Sequence, residues 1–107
     1  MATRAEIQDL VDKLVAGYDP EKVILFGSHA YGTPNADSDI DLFVIKDDPR
    51  PRHQRQMDAS QAMGRRKIPV DVLVYTPAEY AVYCTMPFSS LIQDVVNRGK
   101  IVYDKRA

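Results

Sequence analysis

The run "DIDLFVI", Asp39 to Ile45, restricts the fold of this chain more than any other feature. In an extended strand side chains alternate between faces, so Asp39 and Asp41 share one face with their Cα atoms about 7 Å apart. Ile40, Leu42 and Val44 fall on the opposite face and point to a core, while Phe43 and Ile45 continue the aspartate face toward buried territory. Two carboxylates held beside a low-dielectric interior repel each other unless a cation or a shared proton compensates them. A strand so apolar needs a reason to carry both.

The rest of the chain supplies short strands alternating with helical patterns. Thr3 followed by Glu6 is a capping-box signature, and Ile7, Leu10, Val11, Leu14 and Val15 then recur at helical spacing until Gly17. "KVILFGS" reads as a strand after the Asp19-Pro20 turn signal, and "DIDLFVIK" follows a Gly/Pro/Asn-rich connection. Pro51 to about Lys67 reads as a helix carrying Met57, Ala59, Ala62 and Met63, with Gly64 near its end. "PVDVLVYT" is a third strand. Pro77 sits at the N1 position of a short helix through Tyr83, Pro87 opens another striped by Leu91, Ile92, Val95 and Val96, and "KIVYD" closes as a strand or extension. The expected architecture is α/β or α+β: a small mixed sheet backed by helices, built as one domain over residues 1–107.

A divalent metal is the economical partner for Asp39 and Asp41. Hard oxygen ligands suit Mg2+, whereas zinc would have only the scattered His29, His53 and Cys84. Asp71, flanked by Val70 and Val72, is a third acid inside an apolar strand and would complete a two-metal site for phosphoryl transfer. Gly27-Ser28, a turn at a strand end leading into a short helix, presents backbone N–H groups and a hydroxyl to a phosphate. Each piece alone is weak. The combined spacing Gly-Ser-x10-Asp-x-Asp, at average residue frequencies, arises by chance on the order of once in several hundred chains of this length.

"LFGSHAYGTPNADSDIDLFVI" with "IPVDVLVY" downstream resembles the nucleotidyltransferase superfamily with the DNA polymerase β-like catalytic fold, and within it the minimal, MNT-domain members. The resemblance implies that Gly27 and Ser28 bind the triphosphate of ATP and that Asp39, Asp41 and Asp71 hold two Mg2+ ions. It also implies transfer of AMP to a hydroxyl with loss of pyrophosphate, Asp71 being the candidate general base. Many relatives place a basic residue in the turn after Gly-Ser, where this chain has His29 and Tyr31. Relatives that modify antibiotics or RNA append domains to hold the acceptor, and no such domain is expected here. The resemblance therefore implies an antitoxin that adenylylates a tyrosine of a HEPN-domain toxin in a hetero-oligomer. Neutralisation by binding alone, and transfer to a small molecule or to RNA, are the competing readings.

Composition trims these alternatives. Fourteen basic against fifteen acidic residues give a net charge of -1, without the footprint of a dedicated nucleic-acid binder. The single Cys84 excludes an internal disulfide and fits the cytosol; no apolar run approaches a membrane span, so a membrane partner is not expected. Arg50, Arg52, Arg55, Arg65, Arg66 and Lys67 against Asp58 form the one basic stretch, which could clamp phosphates, face RNA or an acidic partner, or simply be solvated surface. The histidines lack companions at ligand spacing, and Asp37 reads as a turn cap. Tyr75, Tyr80, Tyr83, Tyr103 and Cys84, with the Leu91 to Val96 stripe, read as core or interface.

Overall fold

A computed structural model describes residues 3–32, 39–64, 68–85 and 90–106. The elements follow in the order α1 (Arg4–Tyr18), β1 (Lys22–Phe26), α2 (Ser28–Tyr31), β2 (Ile40–Ile45), α3 (Arg52–Met63), β3 (Val70–Tyr75), α4 (Pro77–Cys84), α5 (Ser90–Arg98) and β4 (Lys100–Asp104). Asp37, Arg65, Arg66, Lys67 and the Pro87 helix start lie outside the described residues.

The local signals that start the helices are satisfied in atomic detail. Thr3 Oγ1 accepts the Glu6 N–H at 3.1 Å and Glu6 Oε1 accepts the Thr3 N–H at 3.0 Å, a capping box worth about 1 kcal/mol. The same reciprocal pair, Thr76 with Glu79, opens α4. Gly17 does not end α1 as its sequence position suggested. The helix continues to Tyr18 and stops at Asp19, which takes a left-handed conformation. Gly17 is instead where α3 comes close, for a Cβ there would sit 2.8 Å from the Ala62 Cβ.

Four strands form one sheet in the order β3-β2-β1-β4. β1 pairs antiparallel with β2 and β4, while β2 and β3 run parallel. A parallel pair needs a crossover of a dozen or more residues, and α3 provides it. Both sheet faces are covered. Leu10, Leu14 and Tyr18 of α1 with Ala59 and Met63 of α3 pack on Val23, Leu25, Ile40, Leu42, Val44 and Val74. On the other face Ile92 and Val95 of α5 pack on Ile24, Phe26, Phe43, Ile45 and Tyr75, with Tyr80, Tyr83 and Cys84 of α4 half-buried against them. The Phe43 ring lies 4.9 Å from that of Tyr75 and 5.5 Å from that of Tyr80, in tilted arrangements that add to simple burial. β2 thus lies at the middle of the molecule, which explains its unbroken apolar run.

Of the basic stretch, Arg50, Arg52 and Arg55 are described, and each makes contacts within the chain. Arg55 is only 6% exposed, and its guanidinium donates to the Arg50 carbonyl at 2.7 Å and to Glu79 Oε1 at 2.7 Å. Arg50 bonds both Asp48 and Asp58, and Arg52 stacks on Tyr75 with its Cζ 4.2 Å from the ring centroid. These three arginines tie the β2–α3 connection and α3 to the sheet. Asp48, itself buried, also accepts from the Tyr18 hydroxyl at 2.8 Å, locking the end of α1 to the same connection.

Candidate functional site

The acids meet where β1 ends and β2 and β3 begin. Pairing register places Asp41 between Phe26 of β1 and Asp71 of β3, and neighbouring strands are spaced about 4.8 Å apart. Asp39, one residue before β2, is close enough to add to the repulsion at Asp41. Further along the Asp41 face come Phe43 and Ile45, members of the second core. Asp39 and Asp41 are half-buried, whereas Asp71, on the edge strand, is exposed. The three carboxylates therefore form a row whose exposed member lies on the edge strand.

Gly27 closes the other side. Its backbone, at φ 75° and ψ -163°, lies in a region that essentially only glycine occupies. A Cβ there would sit 2.1 Å from Asp41 Oδ2 and 3.0 Å from its Cγ. So the Gly-Ser turn lies directly against the central carboxylate, and glycine is the residue that allows it. Ser28 begins α2, whose turn is fixed by Ala30 and Tyr31 N–H groups donating to the Gly27 carbonyl at 3.0 and 3.1 Å. His29 Nδ1 lies 2.9 Å from the Asp39 carbonyl oxygen, a hydrogen bond when that nitrogen carries the proton. The turn after β1 is thereby tied to the start of β2. This use of His29 was not visible in the sequence.

The sequence matches the nucleotidyltransferase domain family over residues 5–102, nearly its whole length. The chain belongs to that family. Among solved structures, a candidate nucleotidyltransferase of Sulfolobus solfataricus superposes with a TM-score of 0.63 at 20% identity, covering 95% of this chain and 80% of the other. A toxin-antitoxin structure with AMP-PNP superposes with a TM-score of 0.57 at 24% identity, covering 91% of this chain and 73% of that one. A substituted form of the toxin-antitoxin MntA-HpeT gives the same values, a TM-score of 0.57 and 24% identity over 91% and 73% of the two chains. At these identities the likeness is one of fold. No curated protein sequence matches the chain significantly.

The electrostatics of this nucleotidyltransferase domain suit a hard cation. Burial raises the Asp41 carboxyl above its ordinary range, repulsion from Asp71 and then Asp39 raises it further, and His29 partly offsets them. Among the described residues, no Lys or Arg offsets the repulsion at Asp41. Among the described residues, no three His, Cys, Asp or Glu side chains are drawn together into a ready-made metal cage. The donors are oxygens on an open row. Zinc favours nitrogen and sulfur in a closed tetrahedron, whereas Mg2+ keeps waters and takes one or two carboxylates plus substrate phosphates. The residues present fit Mg2+.

Proposed function

We propose that the chain transfers AMP from ATP to a hydroxyl of a partner protein, a HEPN-domain toxin whose tyrosine accepts the group, and so acts as an antitoxin. The observation that carries this reading is the row Asp39, Asp41 and Asp71 abutting Gly27, in a domain of the nucleotidyltransferase family. The fold likeness to a toxin-antitoxin structure with AMP-PNP supports the partner class and the nucleotide.

Asp39, Asp41 and Asp71 would hold two Mg2+ ions, with Gly27 and Ser28 placing the triphosphate beside them. When bound, the ions supply positive charge against that developing on the attacking and leaving oxygens. The acceptor oxygen attacks the α-phosphorus, the bond from that phosphorus to the bridging oxygen breaks, and pyrophosphate leaves with the electron pair. Asp71 is the exposed member of the row and therefore the one an incoming hydroxyl can reach, so its carboxylate takes the hydroxyl proton. Asp41, wedged between Phe26 and Asp71, holds its position through the strand pairing and contributes charge rather than proton transfer.

The test is incubation of the chain with Mg2+, ATP labelled at the α-phosphate and the toxin, beside an Asp39→Asn/Asp41→Asn variant. Label appears on the toxin with the native chain and is lost with the variant. If both forms bind and silence the toxin without transferring label, neutralisation is by binding and the transfer reading fails.

A further inference from the structure

Arg98, the last residue of α5, lies over the Tyr31 ring with its Cζ 3.7 Å from the centroid. Tyr31 is three residues after Ser28 on the α2 turn, and residues at that spacing are helix-surface neighbours with Cβ atoms about 5–6 Å apart. A guanidinium held over a ring by its carbon keeps N–H donors in its own plane that can fork onto an oxyanion. Several other described cations are already engaged. Lys13, Lys22, Arg50, Arg55 and Lys105 pair with carboxylates, and Lys46 donates to the Tyr18 carbonyl. Arg52 also stacks on a tyrosine, Tyr75, but at the opposite end of β3 from Asp71. Arg98 forms no ion pair among the described residues.

We propose that Arg98, held on the Tyr31 ring, grips the β- and γ-phosphates of the nucleotide seated at the Gly27-Ser28 turn. The inference rests on the nucleotidyl-transfer reading and deepens it, by naming the cation that a tetra-anionic triphosphate needs beside three carboxylates. Its location follows from the fold. α5 packs Ile92 and Val95 on β1, and Gly99 lies close to Ile24, for a Cβ there would sit 2.6 Å from the Ile24 Cγ2. β4 then starts alongside Leu25. The C-terminal end of α5 is thus carried to the end of β1 from which α2 leaves. Tyr31 acts as the platform through its ring.

Calorimetric titration with Mg2+ present, comparing ATP, inorganic triphosphate and AMP, tests this directly. Arg98→Ala weakens ATP and triphosphate by about 10- to 100-fold, the range for charge-assisted hydrogen bonds, and leaves AMP within about 2-fold because AMP lacks the gripped phosphates. Arg98→Lys recovers part of the loss, and Tyr31→Phe, which keeps the ring, matches the native chain. Equal ATP binding by native chain and Arg98→Ala overturns the assignment while nucleotide binding itself stands. Equal losses for ATP and AMP overturn it as well, since they mean a distorted turn. A native chain that binds none of the three ligands removes the nucleotidyl-transfer reading, and the Arg98 assignment with it.

Discussion

Replacing Gly27 by Ala should damage this protein in two separable ways. The backbone there, φ 75° and ψ -163°, costs a residue with a Cβ about 1–3 kcal/mol. The added Cβ also lands 2.1 Å from Asp41 Oδ2, where even 3.0 Å is essentially never seen. Rotating the carboxylate away removes the oxygen, but Asp41 Cγ at 3.0 Å and Cβ at 3.3 Å remain tight, so the strand must also give. Together these place the cost at about 2–4 kcal/mol. Gly32 is the internal control. Its φ of 78° is also positive, but nothing lies within 4 Å of its would-be Cβ, so Gly32→Ala pays backbone strain alone, about 1–2 kcal/mol.

At about 4–8 °C per kcal/mol for a chain of this size, thermal unfolding should fall by roughly 8–32 °C for Gly27→Ala and by roughly 4–16 °C for Gly32→Ala. Asp41→Ala in the Gly27→Ala background removes the colliding oxygen and should restore about 1 kcal/mol or more beyond additivity. Circular dichroism melts of Gly27→Ala, Gly32→Ala, Asp41→Ala, the Gly27→Ala/Asp41→Ala double variant and the native chain provide the measurement. If Gly27→Ala and Gly32→Ala melt within about 2 °C of each other, or the double-variant coupling is nil, the Gly27–Asp41 apposition is wrong.

Three further perturbations probe the framework around the site. Arg55→Met leaves Glu79 and the Arg50 carbonyl without their buried donor, and urea denaturation should show a loss of about 3 kcal/mol that Glu79→Leu partly recovers. Hydrogen bonds from Arg50 outweigh burial and hold the Asp48 carboxyl well below its usual range, and Arg55 lowers Glu79 in the same way. Depressed folded values stabilise the protein above the unfolded value of about 4, and that contribution disappears as pH falls through the folded values. Stability measured from about pH 6 to about pH 2.5 should therefore drop, with a shallower slope in Asp48→Asn; an unchanged slope refutes the assignment. Burial, helped by a hydrogen bond with Cys84, pushes the Tyr80 phenol up to about 12, so its contribution is complete below the unfolded value of about 10 and is lost as pH rises through 12. Phenolate absorbance should show both Tyr80 and Tyr18, the latter also raised by burial and by Asp48, ionising above the ordinary phenol value of about 10.

Local rules carried the sequence far where neighbours in sequence are also neighbours in space. Thr3 and Glu6 cap α1 as their spacing predicts, and alternation along Asp39 to Ile45 assigns each side chain its face, with Phe43 and Ile45 in one core and Leu42 and Val44 in the other. Gly17 misled because a helical glycine can mark a close crossing as well as an end, and only the position of Ala62 decides between them. Arg55 sat in a polar run that looked like surface because its partner, Glu79, is 24 residues away and its other acceptor is a backbone carbonyl. Neither has a periodic signature. The alignment of Asp71 with Asp41 likewise depends on parallel register, fixed by how α3 carries the chain back across the sheet.

The same contrast explains where the chain places its least favourable charges. Asp41 is the one acid of the row flanked on both sides by paired strands, with Phe43 further along its face and a glycine turn pressed against it. Apolar residues there would remove the burial cost and the repulsion that raise its pKa and would extend the second core, so the sequence departs from the rule governing every other β2 position. Such local conflict, held in place by packing on both sides, is what a binding site for a cation and a polyphosphate requires. It follows that Mg2+ and ATP should stabilise the fold by relieving this repulsion, by about 2.7 kcal/mol at 100 times the dissociation constant. Asp39→Asn/Asp41→Asn should lose that increment while keeping both cores. A variant that is still stabilised to the same extent would place the nucleotide elsewhere on the molecule.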